Sequence, residues 1–201
     1  MIIEKNTIGE VWLEATKYIL KNGKKINYRE TELLEVLNLQ LIINEPNVKD
    51  EIVEKYGDKD VLEYMQKNFE TDENVGFGYT YKQRFFDYQG TNQIENSLAN
   101  LEKRENSMDA IFSTLIPKED VKHVPCLAML QYIVRDKTLI ITATFKSQDI
   151  GKKSYADYIE ITKLFEPVKE KLELSKMKII ANITSSHIYK EDIEKLKKQY
   201  D

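Results

Sequence analysis

Residues 125–151 read PCLAMLQYIVRDKTLIITATFKSQDIG, and the period of this stretch decides the fold class. Leu127 to Val134 and Leu139 to Phe145 are apolar runs on either side of Arg135-Asp136-Lys137, a connection of hairpin length. Ile140, Ile141, Thr142 and Thr144 are β-branched and suit a pleated surface. The stretch therefore predicts two antiparallel strands. Downstream, the pattern predicts a long helix over residues 154–172, a strand from Met177 to Ile183 and a basic C-terminal helix. Upstream, Ala110 to Ile116 is a short apolar run closed by Pro117, and Asn92 to Arg104 carries Ile94, Leu98 and Leu101 on one helical face. Residues 50–70 read as one or two charged helices broken near Gly57. Leu37, Leu39 and Leu41 alternate with Asn38 and Gln40, which predicts a strand over Leu33–Ile43 ending at Glu45-Pro46. Ile8 to Leu20 repeats at helical spacing, stops at Gly23 and offers Trp12 as a core anchor. Helices mixed with antiparallel strands predict an α+β fold, with a mixed or antiparallel sheet flanked by helices.

The chain has 201 residues, and no linker-like segment interrupts it, so a single domain over 1–201 is expected. Thirty Lys and Arg against 34 Asp and Glu leave a net charge of −4, which argues against wholesale binding to nucleic acid but allows a local basic pocket. Apolar runs fall far short of the ~20 residues that a membrane span needs. No signal peptide is read at the start. One cysteine, Cys126, excludes an internal disulfide, and metal-binding C-x-x-C spacing is absent. The expected setting is cytoplasmic, with no metal, nucleic-acid or membrane partner.

Cys126 follows Pro125 at the entrance to a predicted strand. An exposed thiol beside basic groups is a nucleophile candidate, whereas a free cysteine is commonly a buried small hydrophobe. Three further segments bear on the choice. Gly78-Tyr79-Thr80-Tyr81-Lys82-Gln83-Arg84 lies upstream, ahead of a helix; Lys146-Ser147-Gln148-Asp149-Ile150-Gly151 follows the hairpin; and a later strand runs into Ser186-His187-Ile188-Tyr189. Taken singly, His187 reads equally as a satisfied histidine, Tyr79, Tyr81 and Phe85 as packing residues, and Lys82 and Arg84 as solvated charges.

In this order and at these separations, the four segments resemble the thymidylate synthase family, in the form of its short archaeal-type members. The match spans roughly residues 75 to 195. The resemblance implies one-carbon transfer to C5 of a pyrimidine nucleotide. Cys126 would add to C6 of the base, Arg84 would sit beside the nucleophile, and Tyr79 would assist proton removal at C5. Lys146 and Ser147 would bind the nucleotide phosphate, and His187 and Tyr189 the sugar hydroxyl. Gln131 and Asp149 fall on structural and pterin-side positions and are grouped with the nucleotide site. The implied donor is methylene-tetrahydrofolate or methylene-tetrahydromethanopterin, and the implied assembly is a homodimer with sheets back to back.

The chain departs from the family pattern at five places. Lys146 replaces an arginine, keeping the charge but losing the bidentate fork. Met108-Asp109 stands where the family lends two arginines across its dimer, with Arg104 nearby as a substitute. Leu115 replaces a tryptophan. The glutamate of the N-terminal third has no counterpart among Asn38, Gln40 and Glu45. Asp157 stands where an asparagine pairs with uracil; an ionised carboxylate lacks the donor and suits cytosine. Asp157 reads equally as an exposed helix residue. Three functions therefore remain: a thymidylate synthase-like methyl transfer from dUMP to dTMP, a hydroxymethylase acting on CMP or dCMP, and a non-catalytic nucleotide-binding relative.

Overall fold

Asp136 and Lys137 both adopt left-handed backbone, with φ of 49° and 55°. A two-residue primed turn requires that conformation, and it closes β5 (Leu127–Arg135) onto β6 (Thr138–Asp149) as an antiparallel hairpin. The computed structural model describes residues 1–104 and 106–200. Before the hairpin come β1 (Ile2–Lys5), α1 (Ile8–Asn22), β2 (Lys24–Tyr28), β3 (Thr31–Ile43), α2 (Glu51–Tyr56), α3 (Lys59–Glu70), α4 (Tyr81–Phe86), α5 (Gln93–Lys103) and β4 (Ile111–Ser113). After it come α6 (Ser154–Lys171), β7 (Lys176–Tyr189) and α7 (Lys190–Tyr200).

The strands form one seven-stranded sheet in the order β1-β3-β7-β6-β5-β4, with β2 also pairing β3. β6 and β7 are parallel and joined by α6, while β3 pairs antiparallel with β7, so the sheet is mixed. The fold is α+β with a mixed sheet and flanking helices. One sheet face is closed: Leu39, Leu41, Leu139, Ile141, Phe145, Ile179 and Ala181 are all buried. Trp12 anchors α1 in this core, its ring 4.3 Å from that of Tyr155 and its Nε1 donating to the Gly151 carbonyl at 3.3 Å. A Cβ at Gly151 would stand 2.6 Å from Leu196 Cδ1, so the residue is small because α7 packs on it. The other face is half-buried, with Ile42, Ile133, Ile140, Thr142 and Ile180 along it.

Local chemistry explains the helix ends. Thr7 and Glu10 form a capping box on α1, Gly57 closes α2, and Asn92 caps α5. The structure differs from the sequence expectation in four respects. β1 and β2 are additional strands. β7 runs on through Tyr189 rather than ending at Ile183. Arg84 lies inside α4 rather than ahead of it. Leu37 is 59% exposed despite its place in the alternation, next to Asn38, whose φ of 54° twists the strand there.

Candidate active site

Pairing brings the N-terminal ends of β3 and β5 to the C-terminal ends of β6 and β7. A cavity of about 660 Å³ opens there, walled by α3 and by the loops before α4 and β5. Among the residues proposed from sequence, Cys126, Tyr79, Lys146, Ser147, Asp149, Asp157, His187 and Tyr189 all line it. A second groove, about 670 Å³, is lined by Thr7, Glu10, Asp50, Lys169 and Lys176. It holds no thiol or imidazole, and Asp50 there is spent on backbone N–H groups of Gly9, Ile52 and Val53.

Cys126 is exposed to the first cavity. Lys146 N donates to the Cys126 carbonyl at 2.9 Å, which sets the two side chains beside one another. Lys146 Nζ lies 3.9 Å from Sγ, Ser147 Oγ lies 3.8 Å from it, and Nζ donates to Ser147 Oγ at 3.1 Å. The start of β5 is fixed from behind, where Leu127 N donates to the Tyr81 hydroxyl at 3.0 Å and Thr114 Oγ1 donates to the Leu127 carbonyl.

The opposite wall comes from β7 and β3. His187 is register partner to Asp149 on one side and to Glu35 on the other. It is 8% exposed, burial holds its imidazole below the usual histidine range, and Nδ1 has no hydrogen-bond partner among the described residues. Tyr189 meets its ring edge-on at 5.0 Å. Ser185 Oγ donates to Glu35 at 2.5 Å. Asp149 is buried, which pushes its carboxyl up to about 6.

Asp157 faces the cavity from α6, not bulk water. Gln148 Nε2 donates to its Oδ2 at 2.9 Å, and the Tyr158 hydroxyl donates to Gln148 Oε1 at 2.6 Å. Burial pushes Asp157 up to about 7. Tyr79 lies 4.8 Å beneath the Arg84 guanidinium, and its phenol is held well above the usual range by burial.

Two proposed residues stand elsewhere. Arg84 is buried and does not line the cavity; its Nη2 donates to Asp120 at 2.7 Å, while Nη1, 3.3 Å from Glu119, makes no hydrogen bond among the described residues. Gln131 lies on the half-buried sheet face and donates to the Met108 carbonyl at 3.0 Å, because its position on β5 turns it from the cavity. Arg104 pairs with Asp109 at 3.1 Å and does not reach the cavity. Conversely, Glu35, Tyr64, Arg29, His123 and Gln148 line the cavity without having been singled out. Gln148 lies next to Ser147 and Asp149 in the strand-end motif, which is its signal in the sequence; Arg29, at the β2–β3 turn, carries only its charge as a signal.

The sequence matches the thymidylate synthase family over residues 31–201. It is 30% identical over 202 residues to a protein named "Putative thymidylate synthase" from Methanococcoides burtonii, covering 98% of this chain and 93% of that one. Proteins of the same name from Methanosarcina barkeri and Methanocaldococcus jannaschii are 30% and 29% identical. Those matches cover 95% and 100% of this chain and 90% and 96% of theirs. With this extent of match, the chain belongs to the thymidylate synthase family, whose chemistry is one-carbon transfer to C5 of pyrimidine nucleotides.

Proposed function

We propose that this chain transfers a one-carbon unit from a reduced pterin to C5 of a pyrimidine nucleotide, with dUMP to dTMP as its reaction and Cys126 as nucleophile. The observation that carries the reading is the exposed thiol on the cavity wall with an ammonium 3.9 Å away. Sγ forms a bond to C6, and the C5=C6 electron pair moves toward the C4 carbonyl, which makes C5 nucleophilic. After C5 bonds to the one-carbon unit and loses its proton, the bond from that carbon to the pterin nitrogen would break to leave an exocyclic methylene on C5; addition of hydride for a methyl product, or of hydroxide from water for a hydroxymethyl product, then restores the C5=C6 bond and expels the Cys126 thiolate.

Lys146 is placed to pair with that thiolate, and Arg29 and Lys146 supply positive charge for the nucleotide phosphate. His187 and Tyr189 hold the sugar, and Tyr79 assists removal of the C5 proton by orienting with its hydroxyl the water that carries the proton away. Arg84 is a positioning residue, acting through Tyr79 and Asp120. Methylene-tetrahydrofolate or methylene-tetrahydromethanopterin supplies the carbon and, for a methyl product, the hydride. The chain offers a flat aromatic wall for such a ring, since Phe77 lies 5.7 Å from His123 and 6.2 Å from Tyr79, centroid to centroid. The half-buried sheet face supports a homodimer. A free thiol nucleophile suits the reducing cytoplasm, and no helix of the described residues is long and apolar enough to cross a membrane.

A second reading, hydroxymethylation of CMP or dCMP, is favoured by Asp157 at the cavity. The two readings differ in product, methyl or hydroxymethyl. A non-catalytic nucleotide binder would differ from both in forming no bond at Cys126. The test needs no pterin: thiol addition at C6 activates C5, so the protein should exchange the C5 proton of dUMP or dCMP with deuterated water. Cys126→Ser should abolish that exchange while leaving the fold intact. Bound nucleotide without exchange in the native chain would leave the binding role alone standing.

A further inference from the structure

Asp157 is 6% exposed and lines the floor of the cavity, with no ion pair among the described residues. The charged and titratable groups that face it are Lys153 at the N-terminus of α6, Glu160 and Tyr158 from α6, Asp149 from β6, Tyr64 from α3, Tyr81 from α4, and Cys126. Lys153 is the cation named there; its ammonium sits 5.4 Å over the Tyr64 ring, and two carboxylates oppose it. An unpaired carboxylate in such a place is costly, and the neutral acid is the form that burial favours.

The hydrogen bonds also say where the proton goes. The Tyr158 hydroxyl occupies Gln148 Oε1, so the Gln148 amide is held with its N–H toward Asp157 Oδ2. Oδ2 is thereby an acceptor, and the acid proton belongs on Oδ1, which has no protein donor among the described residues. A carboxylic acid then presents a donor and an acceptor side by side, as a carboxamide does. Against uracil, the Oδ1 hydroxyl donates to O4 while a free lone pair of Oδ2 accepts from N3–H. Against cytosine, it donates to N3 while Oδ2 accepts from the 4-amino group. An ionised Asp157 accepts from uracil N3–H or from the cytosine 4-amino group but leaves uracil O4 or neutral cytosine N3 without a donor.

We propose that Asp157 reads the pyrimidine edge as a neutral carboxylic acid, with its proton confined by Gln148 to the cavity-facing oxygen, so that nucleotide binding above neutral pH takes up one proton. The inference rests on the proposed nucleotide site and adds the protonation state that reads the base. It restores uracil as a substrate that a carboxylate would have refused.

Calorimetric titration of the protein with dUMP and dCMP at pH 8, in Tris and in HEPES, separates binding heat from buffer ionisation and counts protons. Native protein should take up close to one proton, and its affinity should fall about tenfold per pH unit above neutrality. Asp157→Asn should bind dUMP with no such uptake and a flat pH profile. Gln148→Met should keep the uptake while narrowing the difference between dUMP and dCMP; an unchanged difference would remove Gln148 from the proposal. Binding by the native protein without proton uptake overturns the neutral acid and leaves the nucleotide site standing. If neither nucleotide binds, the neutral acid and the nucleotide site both fall.

Discussion

Lys146, not Arg84, is the cation that reaches the Cys126 sulfur. The ladder bond between Lys146 N and the Cys126 carbonyl makes the two residues neighbours, and Nζ ends 3.9 Å from Sγ. Arg84 is instead committed to Asp120. Lys146→Met should therefore slow alkylation of Cys126 at pH 7 several-fold. It should also weaken dUMP binding by about tenfold, the equivalent of ~1.4 kcal/mol. Alkylation kinetics and a binding titration check this, and an unchanged alkylation rate would hand the pairing role back to Arg84.

The buried pair of Arg84 and Asp120 governs stability. Asp120 also accepts from Ile116 N at 2.6 Å, and Gln93 Nε2 donates to the Arg84 carbonyl at 2.7 Å, so α4, α5 and the loop after β4 meet here. Asp120→Ala leaves the buried guanidinium to the exposed carboxylate of Glu119 and should cost ~3 kcal/mol in urea unfolding. The double variant Arg84→Met, Asp120→Leu should cost clearly less than the two single changes summed. Additive losses would show that the pair is not coupled.

How far the sequence was legible follows from the same contacts. Periodicity shows where α1, α5, α6 and the β5–β6 hairpin lie, because their apolar residues face one core. β2 was not legible: its stretch Lys24–Tyr28 is mostly exposed and has no buried face to impose a period. β1 is four residues long, and its place beside β3 depends on a parallel pairing that no local pattern encodes. Cys126, Lys146, Ser147 and His187 were legible as motifs because they sit at strand ends. Glu35 was not, since it enters the cavity by pairing opposite His187, 152 positions away in number. Arg84 illustrates the reverse failure: its residue type was informative, but its burial partner Asp120 decides which way it turns.

Stability should also record the buried acids. Asp157 and Glu160 are raised to about 7 and Asp149 to about 6, each chiefly by burial. A raised folded pKa means that the folded form holds its proton longer. The associated stability is whole below the unfolded values near pH 4 and is lost as pH climbs through 6 to 7. The native chain should thus be less stable at pH 8.5 than at pH 5.5 by an amount that Asp157→Asn reduces by ~2 kcal/mol. Urea unfolding at both values measures the difference. An identical pH dependence in the variant would mean that Asp157 stays ionised in the fold.

The remaining prediction concerns the open sheet face. Ile133 pairs with Ile140 across β5 and β6, Thr142 with Ile180 across β6 and β7, and Ile42 with Ile180 across β3 and β7. These side chains share one face, none is fully buried, and Ile111 at the β4 edge is 51% exposed. This aliphatic stripe, flanked on the same face by the Gln40–Asn182 hydrogen bond and the Lys178–Glu4 ion pair, has the mix of apolar centre and polar rim that an interface carries. Such a face is self-complementary under a two-fold axis, which needs the same surface on both copies. The chain should sediment as twice its 23.6 kDa at micromolar concentration. Ile180→Asp should shift it to the monomer, because a charge at the centre of a two-fold contact meets its own copy across the axis. Far-UV circular dichroism unchanged in that variant would show that the fold survives, since Ile180 points away from the core. A native chain that sediments as a monomer would remove the sheet face as the contact.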